Sequence, residues 1–483
     1  MNMTALNNNK ILLVYPLGYR AEAAAHDISR IAGIMPPIGL ISIAAFLERR
    51  GIKTTIVDCY ARPNADTLIR DYLLSNKPAY IAFSCTTSNF LDGIRIARAA
   101  KSIQPDIKTV FGGAHVSALK KKVLYHFPDI DFAIVGEGEQ TLADLVEKGH
   151  DGAGSIKGIV LREDKGEISF TGYRKDMLDL DTLPFPAYEK LQGYPQAYKM
   201  PIFNYPENPS TSCISSRGCP YQCSYCDRSV FQQSFRYNSA IYLYEHLKYL
   251  KERFGIRHLT FYDDQFTFNR KRVAEFTQML INRPLGITFN CVVRAEHIDF
   301  ELLLQMKAAG CWMISLGIET GDPDLLARHR QNSDLDLLTQ KIYLIKKAGI
   351  RVKGLLMIGL PGETEASIKK SMDYVFSLPL DDINLAKFTP FPGSPIYENI
   401  NELGKFDEDW EQMDCMNFQF IPKGITKQKL EKYFIKFYKT HYTRPATLFN
   451  YFSMLWHSPD SWKRFILNLG DFLKFAKSNK RFR

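Results

Sequence analysis

Two stretches of this 483-residue chain alternate short apolar runs with segments of helical period, and that alternation restricts the fold more than any other feature. In the first stretch, Ile11–Tyr15, Lys53–Cys59, Ala79–Thr86, Lys108–Phe111 and Phe132–Val135 read as strands, with helical patterns at Gly39–Arg50, Phe90–Gln104 and Thr141–Lys148. Strands with few alternating polar residues are buried on both faces, which requires a parallel sheet covered by helices. The pattern predicts a doubly wound α/β domain over residues 1–150. Such sheets bind ligands beyond the carboxyl ends of their strands. Three clusters fall there: Ser84-Cys85-Thr86-Thr87-Ser88, Gly112-Gly113-Ala114-His115 and Gly136-Glu137-Gly138-Glu139-Gln140-Thr141. No G-x-G-x-x-G turn follows the first strand, which argues against NAD or FAD. Taken alone, the glycines are equally well explained as tight strand-to-helix turns.

A second rhythm runs from 206 to 400. Strands are expected at Thr211–Ser216, His258–Tyr262, Thr288–Val293, Trp312–Gly317, Val352–Ile358 and Ile383–Phe388. The helices between them are expected at Ser239–Phe254, Arg270–Asn282, Glu301–Ala309, Pro323–His329 and Glu365–Ser377. Six such repeats suit an open, partial (β/α)6 barrel whose strand ends carry the chemistry. Asp263-Asp264, Arg294, Glu319 and Gly359-Leu360-Pro361-Gly362-Glu363 stand at those ends. Acids there also serve as helix caps, and Asp263, Asp264 and Glu363 allow that reading. Residues 151–205, with an expected hairpin around Asp164-Lys165-Gly166, connect the two units.

Cys219, Cys223 and Cys226 crowd three thiols into a C-x3-C-x2-C loop. Structural zinc would want four ligands, often as two C-x2-C pairs, and the other six cysteines form no second pair. A disulfide would leave an odd thiol. A three-cysteine iron–sulfur cluster fits, because it leaves one iron open to a substrate or cofactor.

Two resemblances follow from these residues. Arg217-Gly218-Cys219-Pro220-Tyr221-Gln222-Cys223-Ser224-Tyr225-Cys226 resembles the signature of the radical S-adenosylmethionine (SAM) superfamily. MPPIGLISIAAFLERRGIKTTIVD, FSCTT, FGGAH and VGEGEQT resemble, in order, the N-terminal cobalamin-binding domain found on many of its members. The first resemblance implies a 4Fe-4S cluster on Cys219, Cys223 and Cys226, and SAM bound near Tyr225, Asp263, Arg294, Glu319, Gly359 and Glu363. The second implies cobalamin near Gly39, Asp58, Tyr60, Ser84, Thr86, Thr87, Gly112, Gly113, His115, Gly136, Glu137 and Gly138. Many cobalamin domains supply an axial histidine from D-x-H-x-x-G; here Asp58-Cys59-Tyr60-Ala61-Arg62-Pro63 lacks both the His and the Gly, so no protein histidine is expected on the cobalt. His115 is read first as a hydrogen-bonded structural residue. Together the resemblances imply a cobalamin-dependent radical SAM enzyme, of the group that includes the anaerobic magnesium-protoporphyrin ester cyclase. A 5′-deoxyadenosyl radical would remove hydrogen from an unactivated carbon of a hydrophobic substrate, a lipid or a tetrapyrrole. Methyl transfer from methylcobalamin would follow, or, alternatively, oxidative cyclisation. A low-potential donor such as flavodoxin or ferredoxin would supply electrons.

The net charge of +10 is concentrated in one place. Ile425–Arg483 holds thirteen Lys and Arg against three acids, an excess of ten, so residues 1–424 are neutral overall. The same segment carries 14 of the 61 aromatics. Residues 401–483 are therefore expected to form a basic, aromatic, helical region, with an amphipathic helix over Ile425–Tyr442. It suits an ordinary helical cap or a contact with anionic membrane. Nucleic acid is disfavoured because no RNA module accompanies it. No apolar run is long enough to span a bilayer, no secretory leader is read, and scattered cysteines fit a reducing cytoplasm, with a peripheral place on the inner membrane face as the variant.

Overall fold

The structure is a computed structural model that describes residues 10–18, 33–164 and 166–470. Lys165 of the expected hairpin turn and the basic end Lys477–Arg483 lie outside them. The first sheet contains β1 (Lys10–Tyr15), β2 (Lys53–Asp58), β3 (Tyr80–Ser84), β4 (Lys108–Gly112) and β5 (Phe132–Ile134), all parallel in the order 2-1-3-4-5. Strand periodicity splits their side chains between two cores. Ile11, Leu13, Ala82 and Val110 point into one, while Leu12, Val14, Ile81 and Phe111 point into the other. The hairpin of β6 (Ile159–Arg162) and β7 (Ile168–Phe170) extends this sheet antiparallel beyond β5. The fold is the doubly wound α/β unit that buried, non-alternating strands require.

The second sheet is all parallel and follows chain order. It comprises β8 (Ser210–Cys213), then β11 (His258–Phe261), β12 (Thr288–Val293), β13 (Cys311–Glu319), β14 (Arg351–Ile358) and β15 (Asp382–Lys387). Its edge strands β8 and β15 do not pair, so the barrel stays open. Two small ladders complete the chain: β9 (Ser216–Arg217) with β10 (Arg236–Tyr237), and β16 (Gly404–Phe406) with β17 (Phe420–Pro422). A helix at Leu335–Lys347, absent from the sequence expectation, lies between β13 and β14. Its signals were present: Asp334 accepts from two backbone amides as N-cap, and Leu338, Ile342 and Ile345 form the buried stripe.

The C-terminal helices cover the β15 edge and then the base of the barrel. Lys427–Thr443, capped by Thr426, buries Leu430, Tyr433 and Phe437 in the barrel core. The next helix, Pro445–His457, reaches the strand starts: Asn450 Nδ2 donates to Asp381 O (2.8 Å) and Tyr451 OH to Asp382 Oδ1 (2.9 Å). From Pro459–Leu467, Asp460 Oδ2 accepts from Tyr205 OH (2.6 Å) and from Asn208, while Arg464 donates to Met200 O and the Tyr205 hydroxyl, both at 2.8 Å. Among the described residues no helix is long and apolar enough to cross a membrane. Tyr205 is fully buried, so Asp460→Ala leaves its hydroxyl proton and the Asn208 amide without their acceptor; the expected loss is about 1–3 kcal/mol, read as a lower apparent melting midpoint that Asp460→Asn largely restores.

Candidate active site at the cysteine loop

The β9–β10 ladder makes residues 218–235 a loop with a closed neck, standing at the carboxyl end of β8. Gly218 sits in the neck with φ +85°, and a Cβ there would run into the Ser234 carbonyl oxygen. Only glycine suits a left-handed position this close to another backbone. The base of the loop is fixed from beneath. Asp263 accepts from the amides of Ser215 (2.5 Å) and Ser216 (3.1 Å) and from the Ser215 hydroxyl, and Arg272 donates to Ser215 O (3.1 Å). The Asp263 carboxylate is thus engaged by the loop backbone, whereas the adjacent Asp264 is exposed and acts electrostatically on Cys219 and Cys226.

Cys223 is buried, Cys219 half-buried and Cys226 exposed. Although Cys226 as a whole is exposed, the surroundings of its sulfur are enclosed, and that desolvation, then the neighbouring Cys223 and Asp264, pushes the thiol up to about 12; burial also raises Cys219, although a backbone hydrogen bond from Tyr221 opposes it. A cluster's irons bind cysteine as thiolate and balance its charge. Among the described residues no three His, Cys, Asp or Glu side chains are gathered to hold a single metal ion; the cysteines of a multinuclear cluster bind separate irons. Arg294 lies against Cys223, with Nη1 3.8 Å from Sγ and its guanidinium over the Tyr221 ring. Its Nη2 donates to Gln331 O (2.5 Å) and Glu296 (2.9 Å).

Four further groups converge on the loop. Tyr225 hydrogen-bonds Glu319, the last residue of β13, which adopts φ +65° after a bulge and lies 3.4 Å from Arg330. Burial raises the Glu319 carboxyl, and Arg330 opposes the rise. A left-handed glutamate at a strand end is strain of the kind that collects at functional sites. His329 joins two strand-end loops: Nδ1 pairs with Ser224 Oγ (2.8 Å) and Nε2 with Pro361 O (2.8 Å). In the turn after β14, Glu363 folds back to accept from the Gly359 amide. Neither His329 nor Arg330 was anticipated from the sequence, where they appear as an unremarkable basic helix end.

The first domain meets this loop through buried charges. Glu137 and Glu139, in the turn after β5, pair with Arg217 of the neck, and Glu137 also pairs with Arg236; the Arg217–Glu139 contact is 2.6 Å. Arg217 is 14% and Glu139 5% exposed. Burial alone would raise Glu139, but the Arg217 charge and hydrogen bond outweigh it and hold the carboxyl below its ordinary range. Beside this network is a cavity of about 190 Å³ between the sheet and the helix Ile38–Arg49. Gly39, Ser84, Gly112, Gly113, Gly136, Glu137 and Gly138 line it with Leu13, Val110 and Ile134, and Ile214, Val230 and Phe231 of the barrel domain close it. Gly113 is required there: φ is +103° and a Cβ would strike the Cys85 backbone.

Asp58, Tyr60, Thr86, Thr87 and His115 do not line this cavity. Asp58 closes a turn by accepting from the Tyr60 amide (2.9 Å) and borders a second cavity with Arg62 and Tyr198. His115 contacts Thr87 Oγ1 (3.3 Å), packs under Trp410 of the C-terminal region (ring centroids 4.4 Å apart) and is held neutral, its pKa lowered by burial to about 3.

An α/β ligand domain is thus clamped to an open barrel that carries a three-thiol loop. Comparison with known proteins gives the kind of domain each unit is. A B12-binding domain model matches residues 27–146, and a radical SAM superfamily model matches residues 213–375. An uncharacterized methyltransferase from Pyrococcus horikoshii is 28% identical, covering 91% of this chain and 94% of that protein. The anaerobic magnesium-protoporphyrin IX monomethyl ester cyclase of Rubrivivax gelatinosus is 26% identical, covering 81% and 70%. The cobalamin-dependent SAM radical enzyme OxsB, solved with aqua-cobalamin and SAM bound, shares the fold with a TM-score of 0.72 at 16% identity, covering 98% of this chain and 76% of that one. The chain therefore joins a B12-binding domain to a radical SAM domain, and its cofactors are cobalamin, a 4Fe-4S cluster and SAM.

Two substitutions test the site's electrostatics. Arg217→Ala leaves Glu137 and Glu139 short of their buried partner and should cost about 3–5 kcal/mol in urea unfolding. Because the Glu139 pKa is depressed, that stabilisation is present above its unfolded value and disappears as pH falls through the folded value, so the wild type and Arg217→Ala should converge in acid. Glu363 has the opposite sign. Burial pushes its carboxyl up to about 8, so the stability it contributes is full below its unfolded value near 4.5 and is lost as pH rises through 8. Glu363→Gln should flatten the fall in melting midpoint between about pH 5 and 8.

Proposed function

We propose that the enzyme transfers a methyl group to an unactivated carbon of a hydrophobic small molecule. When bound, the cluster and SAM supply a 5′-deoxyadenosyl radical for hydrogen abstraction, and cobalamin supplies the methyl group. Cys219, Cys223 and Cys226 would hold the cluster. Tyr225, Arg294, Glu319, Gly359 and Glu363 would contact SAM, and Asp264 would join them in place of Asp263, whose carboxylate is engaged by Ser215 and Ser216. Gly39, Ser84, Gly112, Gly113, Gly136 and Gly138 would cradle cobalamin, whose apolar parts suit a slot floored by Leu13, Val110 and Ile134. The Glu137–Arg217 clamp keeps the two cofactor spaces in one orientation and excludes water from their junction.

The observation that carries the substrate class is an aromatic rim. Tyr237, Tyr262 and Phe268, near the loop neck and the end of β11, each keep about two fifths of their surface exposed. Exposed apolar groups clustered at a strand-end mouth favour an apolar ligand. Methyl transfer is supported by the 28% identity, across nearly full length, to a protein named as a methyltransferase. The cyclase relative favours a second reading, oxidative cyclisation without methyl transfer. A flavodoxin or ferredoxin is proposed as the electron donor.

Anaerobically reconstituted protein given hydroxocobalamin, SAM and a strong reductant should show a corrin spectrum and release 5′-deoxyadenosine. It should also form S-adenosylhomocysteine in an amount that follows the bound corrin, and Cys223→Ala should release no deoxyadenosine. Absence of deoxyadenosine from the wild type would refute the radical role; deoxyadenosine without S-adenosylhomocysteine would select cyclisation.

A further inference from the structure

The helix Pro445–His457 is amphipathic in an unusual sense, because its inner face is mostly polar and its outer face is apolar. Inward, Asn450 and Tyr451 bind the strand starts of the barrel, with Thr447 and Met454 buried beside them. Outward, Leu448, Phe449, Phe452, Leu455 and Trp456 fall within one arc of about 120° at the α-helical period. All five are exposed, Phe449 at 73% and Trp456 at 69%. The next helix adds exposed Ile466 and Leu467 (73%), with exposed Leu469 just past its end, and Lys463 lies within one turn of the first two. A soluble surface rarely exposes so many large apolar side chains side by side without a partner.

Charge indicates what that partner is. Lys439, near the end of the helix that precedes this face, and Lys463 are exposed, and among the described residues neither forms an ion pair, in contrast to Lys429, which pairs with Glu365. In sequence, five more Lys and Arg against one acid follow Gly470. A convex apolar helix face bordered by unpaired cations matches a bilayer interface with anionic headgroups. We propose that this chain docks on anionic membrane through the outer face of Pro445–Leu467, with the helices lying in the interface plane. The face belongs to the base of the barrel, so docking leaves the cysteine loop, at the opposite ends of the strands, turned away from the lipid. This surface is independent of the cofactor site.

Truncation would remove Asp460 and Arg464, which hold Tyr205, so the test uses substitutions on the exposed arc. Full-length protein should sediment with vesicles of phosphatidylglycerol and phosphatidylcholine and much less with phosphatidylcholine alone, and binding should weaken as salt is raised. Phe449→Ser combined with Trp456→Ser should weaken binding roughly tenfold or more, since two large apolar groups lose their burial, while the melting midpoint stays unchanged. Trp emission should shift to the blue on addition of anionic vesicles, and Trp456→Phe should abolish the shift. Wild-type protein that fails to sediment, or a double variant that sediments equally well, would overturn the proposal. So would a wild-type dimer that the double variant dissociates without any vesicle binding, because the face would then be covered by a second copy.

Discussion

The pairing of Arg217 with Glu137 and Glu139 is the interaction on which the geometry of this enzyme rests. Charges this deeply buried are tolerated only when each has a partner in good geometry. The carboxylates come from the glycine-rich turn after β5, and the arginine from the residue that opens the cysteine loop. A rotation of one domain against the other would strand at least three charges in an apolar interior. The two α/β units therefore have one favoured docking, and the wall that closes the first domain's cavity is the cysteine loop itself. What distinguishes this architecture from two linked domains is a charged coupling of four side chains, backed by apolar contacts such as Val230 and Phe231 on the cavity and Trp410 on His115.

Within the barrel domain, the loop is held by groups that are themselves held. Asp263 is fully occupied by the loop's own amides and is backed by Arg272, so the approach to Cys219 is rigid before any ligand arrives. His329 ties Ser224, between the second and third cysteines, to the turn after β14, and Arg330 steadies a glutamate whose backbone is left-handed. These contacts carry no reacting atoms. They set the position of those that do, which is the contribution a protein makes when its cofactors supply the hard chemistry.

The fold was legible in the sequence because parallel strands buried on both faces leave a run of apolar residues that little else produces. The cysteine spacing was legible for the same reason: three thiols in one loop have few physical explanations. The less legible features depend on orientation. Asp263 and Asp264 are adjacent acids of equal chemistry, and only the direction in which a strand end turns decides which one meets the thiols. Glu137 read as a cavity residue and does line the cavity, yet its partners Arg217 and Arg236 lie about 80 and 99 residues away. His115 is covered by Trp410, nearly 300 residues later, a contact that no local pattern announces.

The basic tail shows how one composition can serve two demands. Helical phase divides its aromatics: Tyr433 and Phe437 complete the barrel core, while Phe449, Phe452 and Trp456 face outward. Its cations divide likewise, since Arg464 is buried against Tyr205 and Met200 while Lys432, Lys436 and Lys439 stand free of ion pairs among the described residues. A tail evolved only to cap the barrel would need the first set alone. The second set adds solvent-exposed apolar area, which burdens a soluble protein unless something covers it. Because residues 1–424 are neutral overall, the body of the enzyme carries no net charge to oppose the excess of ten in residues 425–483.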